Sequence, residues 1–276
     1  MAVTPEELAH WQSWTGRQET REQVLDAEAL RRFAATIGES LDVEAVQPSL
    51  AHWAFFLPTV AADEIGPDGH PRRGGFLPPI TLARRMFAAS SMRFDGALAL
   101  GEAALLTQTI ASVKHKSGKS GDLVFVEVDR TIAQHGVTRV QERQSIVYRA
   151  AGERTMPVVD ADLTVEAGEV TWHPTPVDLF RFSAVTFNSH RIHYDLPYTM
   201  QEEGYPALVI HGPFTAVRLF GFARHRAGRP PAGFEFRAAA PLFLGQGVRL
   251  APDAAPGGVR AIRCDGTVAM NATARF

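Results

Sequence analysis

Cysteine is nearly absent: Cys264 stands alone among 276 residues. No internal disulfide and no cysteine-based metal cluster can form, and Cys264 is expected as a small apolar residue in a C-terminal strand. A cytoplasmic protein fits that usage. Long apolar runs are missing too. No stretch of about 18 apolar residues occurs, and the acidic opening segment lacks the apolar core of a targeting peptide, so neither a membrane anchor nor a leader is expected. An excess of one charge is also lacking. With 28 Lys and Arg against 30 Asp and Glu, the formal charge is -2, and no field suited to nucleic acid or an anionic membrane results. What remains is a globular chain, 45% hydrophobic, able to bury one large core or two smaller ones.

Two short matches organise it. Gly96-Ala-Leu-Ala-Leu-Gly101-Glu-Ala pairs with Ala240-Pro-Leu-Phe-Leu-Gly245-Gln-Gly, both in strand-like surroundings. Pro48-Ser-Leu-Ala-His52 resembles Pro206-Ala-Leu-Val-Ile-His211 in the same order along the chain. Two related halves are implied, 1–155 and 156–276, with the boundary between Ala150 and Gly168. In the first half Asp26 caps a periodic segment through Leu30, Phe33, Ala34 and Ile37 that stops at Gly38, which predicts a helix. A second helix begins near His52 and is cut short by Pro58. Strands are predicted over Leu98 to Leu106, Leu123 to Thr131 and Thr138 to Arg149. In the second half Pro213 opens a helix with Ala216, Leu219, Phe220 and Ala223 on one face, ending at Gly228. Strands near Gly233 to Ala240, Gly247 to Leu250, Val259 to Cys264 and Val268 to Phe276 follow. The class is α+β, a helix wrapped by an antiparallel sheet, built twice.

Chemistry concentrates between Phe182 and Phe214. His193 can move protons in either direction near neutral pH, and Gly212 places a free backbone amide at a helix start, where developing negative charge is favoured. His190 and His193 form an H-x-x-H spacing, but no acidic or cysteine partner stands in a fixed frame, so no metal site is expected.

These residues resemble the MaoC-like hydratases and dehydratases, in the double hotdog branch that holds itaconyl-CoA and mesaconyl-C4-CoA hydratases and 3-hydroxyacyl-thioester dehydratases. Trp14-Thr-Gly-Arg17, Leu77-Pro-Pro-Ile-Thr-Leu82-Ala-Arg-Arg-Met86 and Glu142-Arg-Gln-Ser-Ile-Val-Tyr148 carry the resemblance along with Phe182 to Phe214. The chain departs from the family pattern at three places. Asn188 stands where an aspartate is usual, His190 replaces an asparagine and Arg191 a proline, while His193 and Gly212 are kept.

The resemblance implies a double hotdog whose first central helix is shortened, and a hydro-lyase acting on an α,β-unsaturated acyl-CoA, most simply a short branched dicarboxylic one. His193 would activate water and protonate C2, Asn188 would orient the water, and the Gly212 N–H would hold the thioester oxygen. Arg191, Arg72, Arg73, Arg84 and Arg85 are candidates for CoA phosphates or a second carboxylate, with His211 and Tyr194 also at the substrate. The groove left by the shortened helix would take the acyl chain. CoA enters as part of the substrate and no cofactor is implied. Exposed strand edges favour a homodimer. Two other readings stay open: a 3-hydroxyacyl-[acyl-carrier-protein] dehydratase, favoured by an apolar acyl end, and a non-catalytic acyl-thioester binding module.

Overall fold

The computed structural model describes residues 3–118, 121–151 and 163–276. Among them the first half contributes α1 (Pro5–Gln12), β1 (Gln18–Val24), α2 (Ala27–Ile37), β2 (Arg84–Phe94), β3 (Ala103–Gly118), β4 (Gly121–Gln134) and β5 (Val137–Arg149). The second contributes β6 (Val170–Trp172), α3 (Pro176–Val185), α4 (Leu196–Gln201), α5 (Gly212–Ala227), β7 (Gly233–Ala238), β8 (Val248–Pro252), β9 (Gly258–Arg263) and β10 (Val268–Arg275). All ten strands form one antiparallel sheet in the order β1-β3-β4-β5-β2-β7-β10-β9-β8-β6. Read outward from the β2·β7 seam, each side repeats the other's order. The duplication inferred from two short matches is therefore written into the topology. The division expected at 155/156 lies outside the described residues.

Helix α2 is formed as its pattern dictates. Asp26 accepts from the Glu28 and Ala29 amides at 3.1 Å each, and Gly38 closes the helix at φ 74°. Its apolar face, with Leu30 and Phe33 fully buried, packs on α3, where Phe33 meets Phe182 at 6.2 Å between ring centroids. Helix α5 runs through the centre of the second half and buries Ala216, Leu219, Phe220 and Ala223, ending at Gly228 in the left-handed region. Burying side chains such as Leu219 and Phe220 stabilises the fold by roughly 1.5–3 kcal/mol each.

Where α5 has its counterpart, the first half has one 3₁₀ turn, Ala51–Ala54. It stops four residues ahead of Pro58, so proline alone does not end it. Side chains of the edge strand β1 do: Gln23 accepts from the Phe56 amide at 2.6 Å, and Arg21 donates to the Phe56 and Leu57 carbonyls at 3.1 and 2.9 Å. The chain is thereby held extended at Phe55, and Phe56 takes φ 54°. A non-glycine residue there costs roughly 1–3 kcal/mol and persists where its surroundings enforce it.

Strand boundaries moved in one instructive place. The strand expected from Leu98 begins at Ala103, because Gln47 and Gln134 side chains satisfy the backbone of Leu98 and Ala99 before any ladder can. Gly101 (φ 77°) and Gly245 (φ 90°) each sit in a turn leading into β3 and β8. The matched motifs are thus equivalent turns rather than strands.

Candidate active site

Helix α3 starts at a capping box, Thr175 with Asp178, and is closed by the Asn188 amide donating to the Ser183 carbonyl at 2.8 Å. Phe187, exposed and at φ 48°, makes the sharp exit that follows. Asn188 then turns back on itself, its Oδ1 accepting from the His190 amide at 3.0 Å. A short 3₁₀ turn, Arg191–His193, delivers His193 against the segment that leads into α5. The Val209 amide donates to the Ile192 carbonyl at 2.9 Å, and His193 Nδ1 lies 2.7 Å from the Val209 carbonyl oxygen.

A carbonyl oxygen can only accept, so Nδ1 of His193 carries the proton and Nε2 carries the lone pair. The ring is 7% exposed, and burial holds its pKa down to about 4, against the smaller support of the Val209 bond. At neutral pH it is an uncharged base. Its ring stacks on His211 at 3.6 Å, one residue before Gly212, whose amide opens α5 without an intrahelical acceptor. Imidazole and amide therefore belong to one locale.

Four more groups join this row, two of them from the first half. His190 meets His193 edge-on at 5.4 Å and His70 at 4.0 Å. His70 Nδ1 lies 3.1 Å from Asp68 Oδ2, so the carboxylate fixes that tautomer as well. At the other end His211 Nε2 lies 2.8 Å from Ser183 Oγ. Burial holds His190 down to about 2 and pushes His70 and His211 below the usual histidine value, with the Arg85 charge adding to the effect at His70 and His190. Burial pushes the Asp68 carboxyl up, but hydrogen bonds from His70 outweigh it and hold Asp68 well below the usual range.

Gly69 makes the contact between the halves. It has φ 86°, and a Cβ there would lie 1.9 Å from the Ser189 carbonyl oxygen. The Arg191 amide donates to the Asp68 carbonyl at 2.9 Å, and the Arg191 guanidinium to the Pro67 carbonyl at 2.9 Å. Beside this clamp opens a cleft of about 440 Å³. Its lining includes Asn188, Pro213 and His70, the apolar Phe56, Pro58 and Phe187, and Arg85, Gln108, Arg130 and Gln144 from the strands of the first half-sheet. The groove expected beside the shortened helix is present. Asn188 lines the cleft, whereas His193 and Gly212 are not among its lining residues, although Pro213, next to Gly212, is.

The arginines separate by their partners. Arg73 donates to the carbonyls of Ile80, Leu82 and Ala83 and lies over the Tyr148 ring. Arg84 is buried in an ion pair with Glu203 at 3.0 Å. Arg191 pairs with Asp195 at 2.7 Å and lies over Tyr198. Arg72 reaches the Asp63 carbonyl at 3.1 Å. Of the five only Arg85 lines the cleft. Tyr194 is half exposed and donates to the Ser189 carbonyl, and His211 is fully buried. Asp68 and His70 are not legible in the sequence as site residues, because the glycine- and proline-rich segment 66–79 reads only as loop.

A model of the hydroxyacyl-thioester dehydratase type 2 family matches residues 50–244. A mesaconyl-C(4)-CoA hydratase of Chloroflexus aurantiacus is 43% identical over 274 residues, covering 96% of this chain and 97% of that protein. Among solved structures, a MaoC-like dehydratase superposes with TM-score 0.67 at 14% identity, covering 96% of this chain and 99% of that one. A Mycobacterium tuberculosis protein described as having a double hotdog fold superposes with TM-score 0.53 at 11% identity, covering 95% and 96%. The fold is the double hotdog. Among the described residues no helix is long and apolar enough to cross a membrane.

Proposed function

The chain belongs to the hydroxyacyl-thioester dehydratase type 2 family, and from that premise we propose that it hydrates mesaconyl-C4-CoA, with His193 as its acid and base. It is a hydro-lyase acting on an α,β-unsaturated acyl-CoA. The observation that carries the chemistry is the tautomer of His193: Nδ1 is committed to the Val209 carbonyl, which leaves the Nε2 lone pair for a water molecule.

As the water oxygen bonds to C3 of the enoyl thioester, its proton passes to Nε2. The C2–C3 π electrons shift toward the thioester oxygen, where the Gly212 N–H and the start of α5 meet the growing charge. The His193 imidazolium then delivers the same proton to C2, and the base is restored. Asn188 cannot ionise, and its amide, held by the His190 N–H, orients the water. Every proton in this scheme travels between water, imidazole and carbon, so no cofactor or metal is required.

The cleft lining is largely apolar but includes Arg85, Gln108 and Gln144, which supports a short acyl group with a second carboxylate over a fatty chain that would leave those three facing hydrocarbon. The single cysteine, Cys264, fits a reducing compartment and supports a cytoplasmic enzyme. A panel of enoyl-CoA esters, with and without a second carboxylate, tests the reading. Hydration fastest with mesaconyl-C4-CoA supports it. Turnover of long unbranched enoyl thioesters alone would refute it.

A further inference from the structure

Three guanidinium groups reach the cleft, from Arg21, Arg85 and Arg130. Two are already occupied. Arg21 donates to the Phe56 and Leu57 carbonyls, and Arg130 pairs with the buried Glu142 at 3.3 Å. Arg85 differs: its hydrogen bond to the Pro71 carbonyl is long, at 3.4 Å, and among the described residues no carboxylate oxygen lies within 4.0 Å of it. Asp68 feels its charge from beyond ion-pair distance and the Tyr148 side chain lies beside it, so an incoming carboxylate is the partner that can complete a bidentate hydrogen-bonded pair with the guanidinium.

Arg85 also stands at the right place along its strand. Phe87, two residues on and on the same face of β2, has its carbonyl oxygen 3.7 Å from where a Gly212 Cβ would lie. Strand rise separates Arg85 from Phe87 by roughly 7 Å, the scale of a four-carbon acyl unit. An acyl group with its thioester oxygen at the Gly212 amide would have the Arg85 position within its length.

Building on the reading of the chain as a hydratase of a carboxylated enoyl-CoA, we propose that Arg85 is its specificity-determining residue, the group that binds the free carboxylate of the acyl unit. In mesaconyl-C4-CoA that carboxylate is attached to C3, the carbon that receives water. Holding it fixes which face of C3 meets the water, so Arg85 acts on turnover as well as on binding. The Arg85 charge reaches the rest of the site, pushing the His70 pKa down and helping to hold the Asp68 carboxyl below its usual range.

The test compares mesaconyl-C4-CoA with 3-methylcrotonyl-CoA, in which a methyl group replaces the carboxylate and the carbon skeleton is otherwise the same. The readout is the ratio of their kcat/KM values in wild type, Arg85→Gln and Arg85→Lys. Arg85→Gln is expected to lower the ratio by about 10²-fold or more, and Arg85→Lys to recover part of it. An unchanged ratio, with both substrates slowed equally or neither slowed, would overturn the assignment. Should Arg85→Gln not fold, wild type alone decides by inhibition: succinyl-CoA is expected to compete at least tenfold better than butyryl-CoA, and equal inhibition would count against Arg85. A wild type that hydrates only the uncharged substrate would instead refute the functional reading on which this one stands.

Discussion

Acidification from pH 7 to pH 5 is expected to weaken this fold well before its carboxylates titrate, and His193 accounts for a share that can be calculated. In the unfolded chain its imidazole has the ordinary value near 6.5, whereas burial holds the folded value at about 4. Below pH 6.5 the unfolded state therefore binds more protons, and stability falls as pH falls, flattening only near pH 4. Between pH 7 and pH 5 the unfolded imidazole goes from about one-quarter to almost fully protonated, and the folded one stays neutral; integration gives about 2 kcal/mol of lost stability from this residue. His70, His190 and His211 shift in the same direction and add to the loss. Glu142, held at about 2, and Asp68, held well below its usual range, contribute only below the window. Urea unfolding followed by circular dichroism at pH 7, 6 and 5 reads the effect. His193→Asn is expected to lose about 2 kcal/mol less than wild type across that range. Equal losses in the two proteins would refute a neutral, buried His193.

Gly212→Pro removes the proposed oxyanion donor while fitting the first helical turn, since His211 already has the extended ψ of 128° that a following proline requires. Its kcat is expected to fall about 10²–10³-fold with little change in the unfolding midpoint, read by steady-state hydration and calorimetry. Gly69→Ala places a methyl group against the Ser189 carbonyl at a positive φ, and a loss of about 3 kcal/mol or more in urea unfolding is expected.

The sequence shows most clearly those elements whose signals are local. The start and end of α2 follow from Asp26 and Gly38, the face of α5 from Pro213 onward, and β4 and β5 from clean alternation. Strand β1 is hidden because Gln18 to Val24 is polar on both faces; it joins the sheet as an edge, held by its pairing with β3 and by Arg21 and Gln23 reaching the shortened helix. The site is legible only in its second-half part. His193, Asn188 and Gly212 lie in a single short stretch, but Asp68 and His70 arrive from more than 100 residues away through the Gly69 contact with Ser189. Nothing in a breaker-rich loop announces such a contact. Charge alone likewise could not sort the arginines, because Arg73, Arg84 and Arg191 are distinguished from Arg85 only by carbonyls and carboxylates that folding brings to them.

The most direct measurement follows the loss of enoyl-thioester ultraviolet absorbance when mesaconyl-C4-CoA is mixed with wild type or His193→Ala, with binding of the ester measured in parallel. Wild type is expected to hydrate it, and the variant to be slower by about 10²–10⁴-fold while still binding. A His193→Ala protein that turns over at close to the wild-type rate would contradict the assignment of the proton to that imidazole.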